Sequence, residues 1–182
     1  MALWKVMYAG WEMECCGDPF SVGDEVSWPL SLREPEPADT DLSTVEGPVE
    51  RRDVEMEGIC WVIRSGSLSA LWPGEVPAGK AVDTNPVRLT GLLEVDRHGP
   101  GPRELPPTTG TVRRIQLVTS GYRFDPAEAA YERVPGARWL REVPTCPKWF
   151  DSRAPYGKRA PAAGDHYRSE SGVLVDLEIA DG

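Results

Sequence analysis

The sequence lacks the features of several common classes of protein. None of its apolar runs approaches the ~20 residues that a membrane-spanning helix needs. Its first residues lack the basic start, the continuous apolar stretch and the small-residue cleavage site of a secretion signal. We therefore expect a cytoplasmic protein with no membrane partner.

Residues suited to catalysis or metal binding are also scarce. The chain has 2 histidines, His98 and His166, and its 4 cysteines contain no Cys-x-x-Cys pair of the kind found in zinc sites. The sequence therefore predicts no metal site and no cofactor, and it favours a protein that is not an enzyme.

The density of helix-breaking residues excludes long helices. Gly and Pro number 18 each in 182 residues, and both are unfavourable inside a helix. Short alternating segments predict a mainly β chain that forms a single compact domain over 1–182. We expect a small antiparallel barrel or a compact sandwich, with the OB and SH3 types among the alternatives. The predicted strands are 4–8, 26–30, 58–64, 68–72, 87–96, 111–118 and 171–179.

The aliphatic content is low, so the strand positions with β-favouring side chains must supply much of the core. Pro29 has no backbone donor, which places the far end of the strand 26–30 at a sheet edge or a bulge. The residues predicted to be mostly buried are Val26, Trp28, Trp61, Ile63, Val112, Ile115, Val173 and Val175.

One short helix is predicted over 125–133. Asp125 is a suitable N-cap and Pro126 suits the first helical position, while Glu128 provides an acid at the third. Pro135 ends the pattern, because the residue before a proline avoids helical geometry.

Charge is distributed unevenly along the chain, whose net charge is −9. The stretch 33–57 is rich in acidic residues, contains Pro35, Pro37 and Pro48, and has few aliphatic side chains. It therefore predicts a long, disordered acidic insertion. The stretch 96–160 is basic by comparison, and the acidic insertion could lie over its basic segment 148–159.

The cysteines allow two interpretations. Buried, reduced thiols are favoured for Cys15, Cys16, Cys60 and Cys146, and a zinc site would require distant cysteines to converge. The alternative is a cysteine-dependent enzyme in which Cys15 or Cys16 attacks the substrate and His166 acts as the base.

The stretch 148–159 interleaves cations with aromatic rings, a pattern that suits single-stranded nucleic acid. It also suits a loop held to the core by its aromatic residues, with the cations reaching water. If it is a binding face, the candidate residues are Lys148, Trp149, Phe150, Arg153, Tyr156, Lys158 and Arg159, together with Arg113 and Arg114.

A run from Trp11 to Trp28 contains Cys15-Cys16-Gly17-x-Pro19-Phe20-x-Val22-Gly23, and Thr109-Gly110-Thr111-Val112-Arg113-Arg114-Ile115 follows later. Together these segments resemble a family of short actinobacterial proteins of unknown function. The resemblance implies a bacterial protein, and it assigns no activity and no site residues.

The functional expectation from the sequence is a non-catalytic binding or interaction module. Its net negative charge opposes a polyanionic ligand, so a protein partner is favoured over nucleic acid. The first alternative is a β-barrel that binds single-stranded nucleic acid through 148–159. The second is the cysteine-dependent enzyme.

Overall fold

A computed structural model describes residues 1–54, 58–74, 86–98, 106–152 and 161–181. These residues form eleven strands and one helix, so the chain is mainly β, as predicted. The strands are β1 (Ala2–Ala9), β2 (Glu25–Trp28), β3 (Leu30–Arg33), β4 (Ser43–Gly47), β5 (Val49–Val54), β6 (Gly58–Ser65), β7 (Leu68–Trp72), β8 (Val87–Val95), β9 (Thr108–Asp125), β10 (Ala130–Glu142) and β11 (His166–Ile179), and the helix is α1 (Gly10–Cys16).

The strands belong to one open, branched sheet. Its path runs β10-β9-β11-β1-β8-β3-β7-β6-β5, with β2 added to β9 and β4 added to β8. The two ends of this path do not pair within the described residues, so neither a barrel nor a sandwich is confirmed. Most pairs are antiparallel, while β1 with β8 and β3 with β7 are parallel.

The centre of the sheet is buried on both faces. In β11, Val173, Val175 and Leu177 are buried as the alternation predicts, and Leu174 on the opposite face is also only 1% exposed. This burial is typical of a central strand covered on both sides. Among the residues predicted to be buried, the ones confirmed are Trp28, Ile63, Val112, Ile115, Val173 and Val175, whereas Val26 and Trp61 are only half-buried and pack against the rim of the core.

Pro29 marks a change of strand partner. Before it, β2 pairs with β9, and after it, β3 pairs with β8. Proline suits this junction because it has no backbone N–H group that would lack a partner in the sheet. The strand predicted over 26–30 is therefore two strands, and Pro29, which was predicted to lie at an edge or a bulge, separates them.

The prediction of a disordered acidic segment over 33–57 is wrong for 43–47 and 49–54, which form strands, whereas 34–42 has no regular secondary structure. β4 and β5 lie within it, with Val45 and Val49 in the core. Residues 55–57 lie outside the described residues. Buried Ser43, Val45 and Gly47 alternate in β4 with exposed Thr44 and Glu46, and this period of two outweighs the high overall charge.

The predicted helix over 125–133 is also wrong. Residues 126–129 form the turn of a β9–β10 hairpin, in which Ala129 has a φ of +52°. The Asp125 carboxylate accepts a hydrogen bond from the Ala127 N–H at 2.8 Å. The Asp-Pro pair thus initiates a turn, because Asp side chains bind backbone N–H groups just as readily in turns as at helix starts. Aromatic pairing across the hairpin, with Tyr131 against Phe124, then stabilises the strands.

The helix lies instead directly after β1, where the sequence pattern predicted no helix. Gly10, Met13 and Gly17 face inward, and their spacing of three and four residues is that of one helix face. A Cβ atom at Gly10 would lie 3.1 Å from the Phe150 ring, so glycine permits this close packing. The result is a two-turn helix whose last residues project from the edge of the core.

Candidate metal centre

Two adjacent thiols end α1 at the surface. Cys15 and Cys16 are its last two residues and are exposed, whereas Cys60 and Cys146 are buried. Burial raises the pKa of the Cys146 thiol to about 12. The expectation of four buried thiols is therefore correct for Cys60 and Cys146 and wrong for the adjacent pair.

The imidazole of His98 reaches this helix end from another part of the chain. His98 lies just after β8, and the preceding Arg97 donates its backbone N–H to the Glu12 Oε1 atom at 3.0 Å. The Arg97 guanidinium also donates to the Cys16 carbonyl at 3.4 Å. These bonds attach the turn to α1 and bring the His98 Nε2 atom to 3.0 Å from the Cys16 Sγ atom.

Cys15, Cys16 and His98 form what we call the thiol–imidazole cluster. Its three donor atoms all lie within 4.8 Å of one another. A tetrahedral zinc ion has bonds of about 2.3 Å to sulfur and about 2.0 Å to nitrogen, so its ligand atoms lie a little under ~4 Å apart. The donor atoms lie near that spacing, and a tetrahedral ion held by them would take its fourth ligand from another group.

The buried carboxylate of Glu12 holds the turn that carries His98. Glu12 is only 2% exposed, and its Oε2 atom has no hydrogen-bond partner among the described residues. Burial raises the pKa of this carboxyl group. Its contact with Arg97 makes Glu12 the residue that positions His98 relative to the two thiols.

Trp11 and Lys148 lie beside the thiol–imidazole cluster, at what we call the corner formed by α1 and His98. The Trp11 ring is 60% exposed and packs against the His98 ring, with centroids 5.5 Å apart. Lys148 donates from Nζ to the carbonyls of Met13 at 2.7 Å and Gly17 at 2.9 Å. A cation at these positions satisfies the helix's last carbonyls and complements its dipole.

The surroundings of Cys16 favour a metal ligand over an activated nucleophile. Desolvation of its sulfur and the neighbouring Cys15 thiol raise the pKa of Cys16. A nucleophilic cysteine generally needs a lowered pKa, whereas a bound cation deprotonates a thiol by itself. The cluster therefore has the donors of a zinc site rather than the electrostatics of a nucleophile.

The described residues among those predicted to bind nucleic acid do not form one surface. Arg113 pairs with Glu178 and Arg114 pairs with Asp176, both across the β9–β11 ladder. Lys148 caps α1, and Phe150 is buried against Gly10, so this part of the stretch is held to the core as the alternative interpretation predicted. Trp149, in contrast, is 70% exposed. The remaining candidates lie outside the described residues: Arg153, Tyr156, Lys158 and Arg159.

Sequence reasoning missed His98 and chose the other histidine. His166 begins β11, where it pairs with Arg123, and its Nδ1 atom lies 3.3 Å from the Gly164 carbonyl. His98 occurs in a Gly/Pro-rich stretch, which gave no reason to place it beside Cys16. The inward spacing of Gly10, Met13 and Gly17 was the available signal for the helix that exposes both thiols.

Comparison with known proteins gives a family without an assigned activity. No curated protein and no solved structure matches the chain. Among the described residues, no helix is long and apolar enough to cross a membrane. A family of unknown function, DUF6578, matches over residues 2–179, and the chain therefore belongs to that family.

Proposed function

We propose that this protein is a non-catalytic binding module whose ligand is a thiophilic divalent metal ion of the Zn²⁺ type. The observation that supports the proposal is the convergence of the Cys15, Cys16 and His98 donor atoms within 4.8 Å. Two thiolates and one imidazole are soft and intermediate donors that suit Zn²⁺ and disfavour Mg²⁺ or Ca²⁺. An exchangeable group would occupy the exposed fourth position.

Two further observations support this assignment. The Cys-Cys-Gly motif behind the resemblance to short actinobacterial proteins supplies both thiols of the cluster. A reducing bacterial cytoplasm, the location that the sequence predicts, keeps such thiols available for a metal. Exposed Trp11 and Trp149 suit a protein partner, and the net charge of −9 opposes nucleic acid.

Metal binding by the full-length chain tests the proposal. The reduced protein should compete with a chromophoric chelator for one Zn²⁺ ion, and Co²⁺ should give a thiolate-to-cobalt charge-transfer band. Cys16→Ser and His98→Ala should each weaken Zn²⁺ binding by roughly 100-fold or more, since even outer-shell changes cost 10–100-fold.

The two histidines provide a matched control. His166→Ala removes an imidazole outside the cluster and should leave the affinity for Zn²⁺ unchanged. Equal losses in the His98 and His166 variants, or no Zn²⁺ binding by the parent chain, would exclude the proposed site.

One observation favours a cysteine-dependent enzyme as a second candidate. The Cys16 Sγ atom lies 3.0 Å from the His98 Nε2 atom, within the reach of a nucleophile and its base. If the protein is an enzyme of this type, Cys16 of the metal-free protein should be alkylated rapidly below pH 7. The His98→Ala variant should be alkylated much more slowly. Slow alkylation that increases up to pH 9 or above is the result expected for the metal site.

A further inference from the structure

The two thiols of the cluster are adjacent in sequence and accessible from solvent. Cys15 and Cys16 lie at the exposed end of α1, and their donor atoms belong to a group with separations within 4.8 Å. A disulfide requires the sulfurs to approach to about 2 Å, which side-chain rotation and loosening of the last helical turn allow. No long-range chain movement is needed, because the residues are neighbours.

We propose that hydrogen peroxide converts Cys15 and Cys16 into a vicinal disulfide and thereby releases the bound metal ion. This inference rests on the proposed function, since the thiols that would be oxidised are those assigned to the metal. Oxidation removes both sulfur ligands together, because a disulfide sulfur has no thiolate charge to offer a metal. His98 alone then remains as a donor.

The chemistry balances in two steps. One thiolate, which the bound cation would keep deprotonated, attacks the peroxide O–O bond, and with one proton it gives a sulfenic acid and one water molecule. The second thiol attacks the sulfenic sulfur, forms the S–S bond and releases a second water molecule. In total, two thiols and one hydrogen peroxide molecule give one disulfide and two water molecules, so the thiols lose two electrons and the peroxide gains them.

The position of the pair at the helix end makes the change local. The Gly17 N–H group bonds to the Glu12 and Met13 carbonyls, both at 3.1 Å, and α1 has no residues after Cys16. Only this last turn must rearrange to close the ring. The strain of such a small ring makes its disulfide readily reducible, which suits a reversible switch.

Trypsin separates the cysteines into distinct peptides, so the product can be identified. Cleavage after Lys5 and Arg33 leaves Cys15 and Cys16 together on one peptide, whereas Cys60 and Cys146 fall on two others. Zn²⁺-loaded protein is treated with hydrogen peroxide, alkylated, digested and analysed by mass spectrometry. Released Zn²⁺ is measured in parallel with a chromophoric chelator.

The 6–33 peptide should be two hydrogens lighter and unalkylated, and one Zn²⁺ per chain should be released. Thiol reduction should reverse both changes. In Cys15→Ser, Cys16 should instead accumulate as a sulfenic acid that dimedone traps. Buried Cys60 and Cys146 are internal references and should be alkylated after unfolding as in untreated protein.

Three outcomes would overturn the inference. In the first, the 6–33 peptide keeps both thiols. In the second, this peptide is cross-linked to Cys60, to Cys146 or to a second chain. In the third, it accumulates sulfinic acid without a disulfide. If reduced protein binds no Zn²⁺ but still forms the vicinal disulfide, the metal assignment fails and the peptide mass identifies that case separately.

Discussion

Two regions of this protein differ in how their charged and polar side chains are paired. In the first, which we call the ionic cluster, an acidic segment after β3 packs onto arginines. Asp39 has a side chain only 2% exposed and is bonded by Arg33 at 2.9 Å and Arg133 at 3.0 Å. Asp41 pairs with Lys5 at 2.8 Å and with Arg138. The acidic residues here have cationic partners, and the cluster holds the segment to β1, β3 and β10.

The corner formed by α1 and His98 is the second region. The Glu12 carboxylate is as buried as Asp39, yet its Oε2 atom has no partner among the described residues. The sulfurs of Cys15 and Cys16 are exposed beside the His98 imidazole. Cationic partners explain why the acidic segment folds onto the sheet. Metal-ligating atoms that converge without cationic partners indicate a ligand instead. The comparison therefore supports a structural role for the ionic cluster and the binding role that we propose for the corner.

The largest expected effect tests whether the acidic segment is structural. Val45→Asp places a charge at a fully buried position of β4, which lies just beyond the ionic cluster. An unpaired buried charge is among the few changes that destabilise a protein by more than about 4 kcal/mol. Thermal or urea unfolding should therefore show loss of the cooperative transition.

The neighbouring residue gives the matched control. Glu46 is exposed on the opposite face of β4, so Glu46→Ala should change stability by less than about 0.5 kcal/mol. If both variants were as stable as the parent chain, the segment would make no structural contribution and the comparison would fail.

The second prediction sharpens the role of the corner. At a free Zn²⁺ concentration roughly 100 times its dissociation constant, bound metal should stabilise the protein by about 2.7 kcal/mol. For a chain of this size, that increase corresponds to a rise in melting temperature of roughly 5–10 °C. Differential scanning calorimetry with and without Zn²⁺ measures it.

Variants separate specific binding from a general effect of the ion. Cys16→Ser should lose the stabilisation by Zn²⁺, and Asp39→Asn should keep it, because Asp39 lies in the ionic cluster. A Zn²⁺-dependent rise of equal size in all three proteins would place the metal elsewhere on the surface.

Asp39 gives the third prediction, which depends on pH. Burial alone would raise the pKa of Asp39, but the Glu36 N–H group and the guanidinium groups of Arg33 and Arg133 outweigh it and lower the pKa. A carboxyl group whose pKa is lowered by folding contributes stability above its ordinary value of 3.8, and that contribution is lost as the pH falls through the folded-state pKa. Asp39→Asn should therefore cost roughly 2 kcal/mol at pH 7.

Urea unfolding from pH 7 down to pH 2 measures this dependence. The difference between the parent chain and Asp39→Asn should shrink steadily below about pH 4. A difference that stays constant across this range would show that the carboxylate charge contributes nothing to the cluster.

The alternation of β-favouring residues predicted seven of the eleven strands of the described residues, because period two is a local property of the chain. The same reasoning failed where two local signals compete. Asp125-Pro126 starts either a helix or a turn, and cross-strand contacts such as Phe124 with Tyr131 decide in favour of the hairpin. Arginines far away in sequence, such as Arg133, order the acidic segment, so its composition alone gave the wrong answer.

Half of the candidate site could be inferred from the sequence. The Cys15-Cys16-Gly17 motif is visible in the sequence and contains both thiols of the cluster. The contribution of His98 depends on the bond between the Arg97 N–H group and Glu12, two residues 85 positions apart in the chain. Contacts of that separation leave no pattern within a single sequence, so the metal site was not predicted.

The smallest expected effect concerns the two arginines that the sequence assigned to nucleic acid. Arg113 is half exposed and pairs with Glu178, and Arg114 pairs with Asp176 at 2.8 Å. Solvent screens these pairs, so Arg113→Ala should cost less than about 1 kcal/mol. The pairing also neutralises each cation, which leaves little charge to attract a phosphate backbone. Single-stranded DNA titrated against the parent chain and Arg113→Ala at low and high salt should show the same weak binding. A clear loss of affinity in the variant, with a shallower salt dependence, would instead place a polyanion on β9 and contradict the structural role of these pairs.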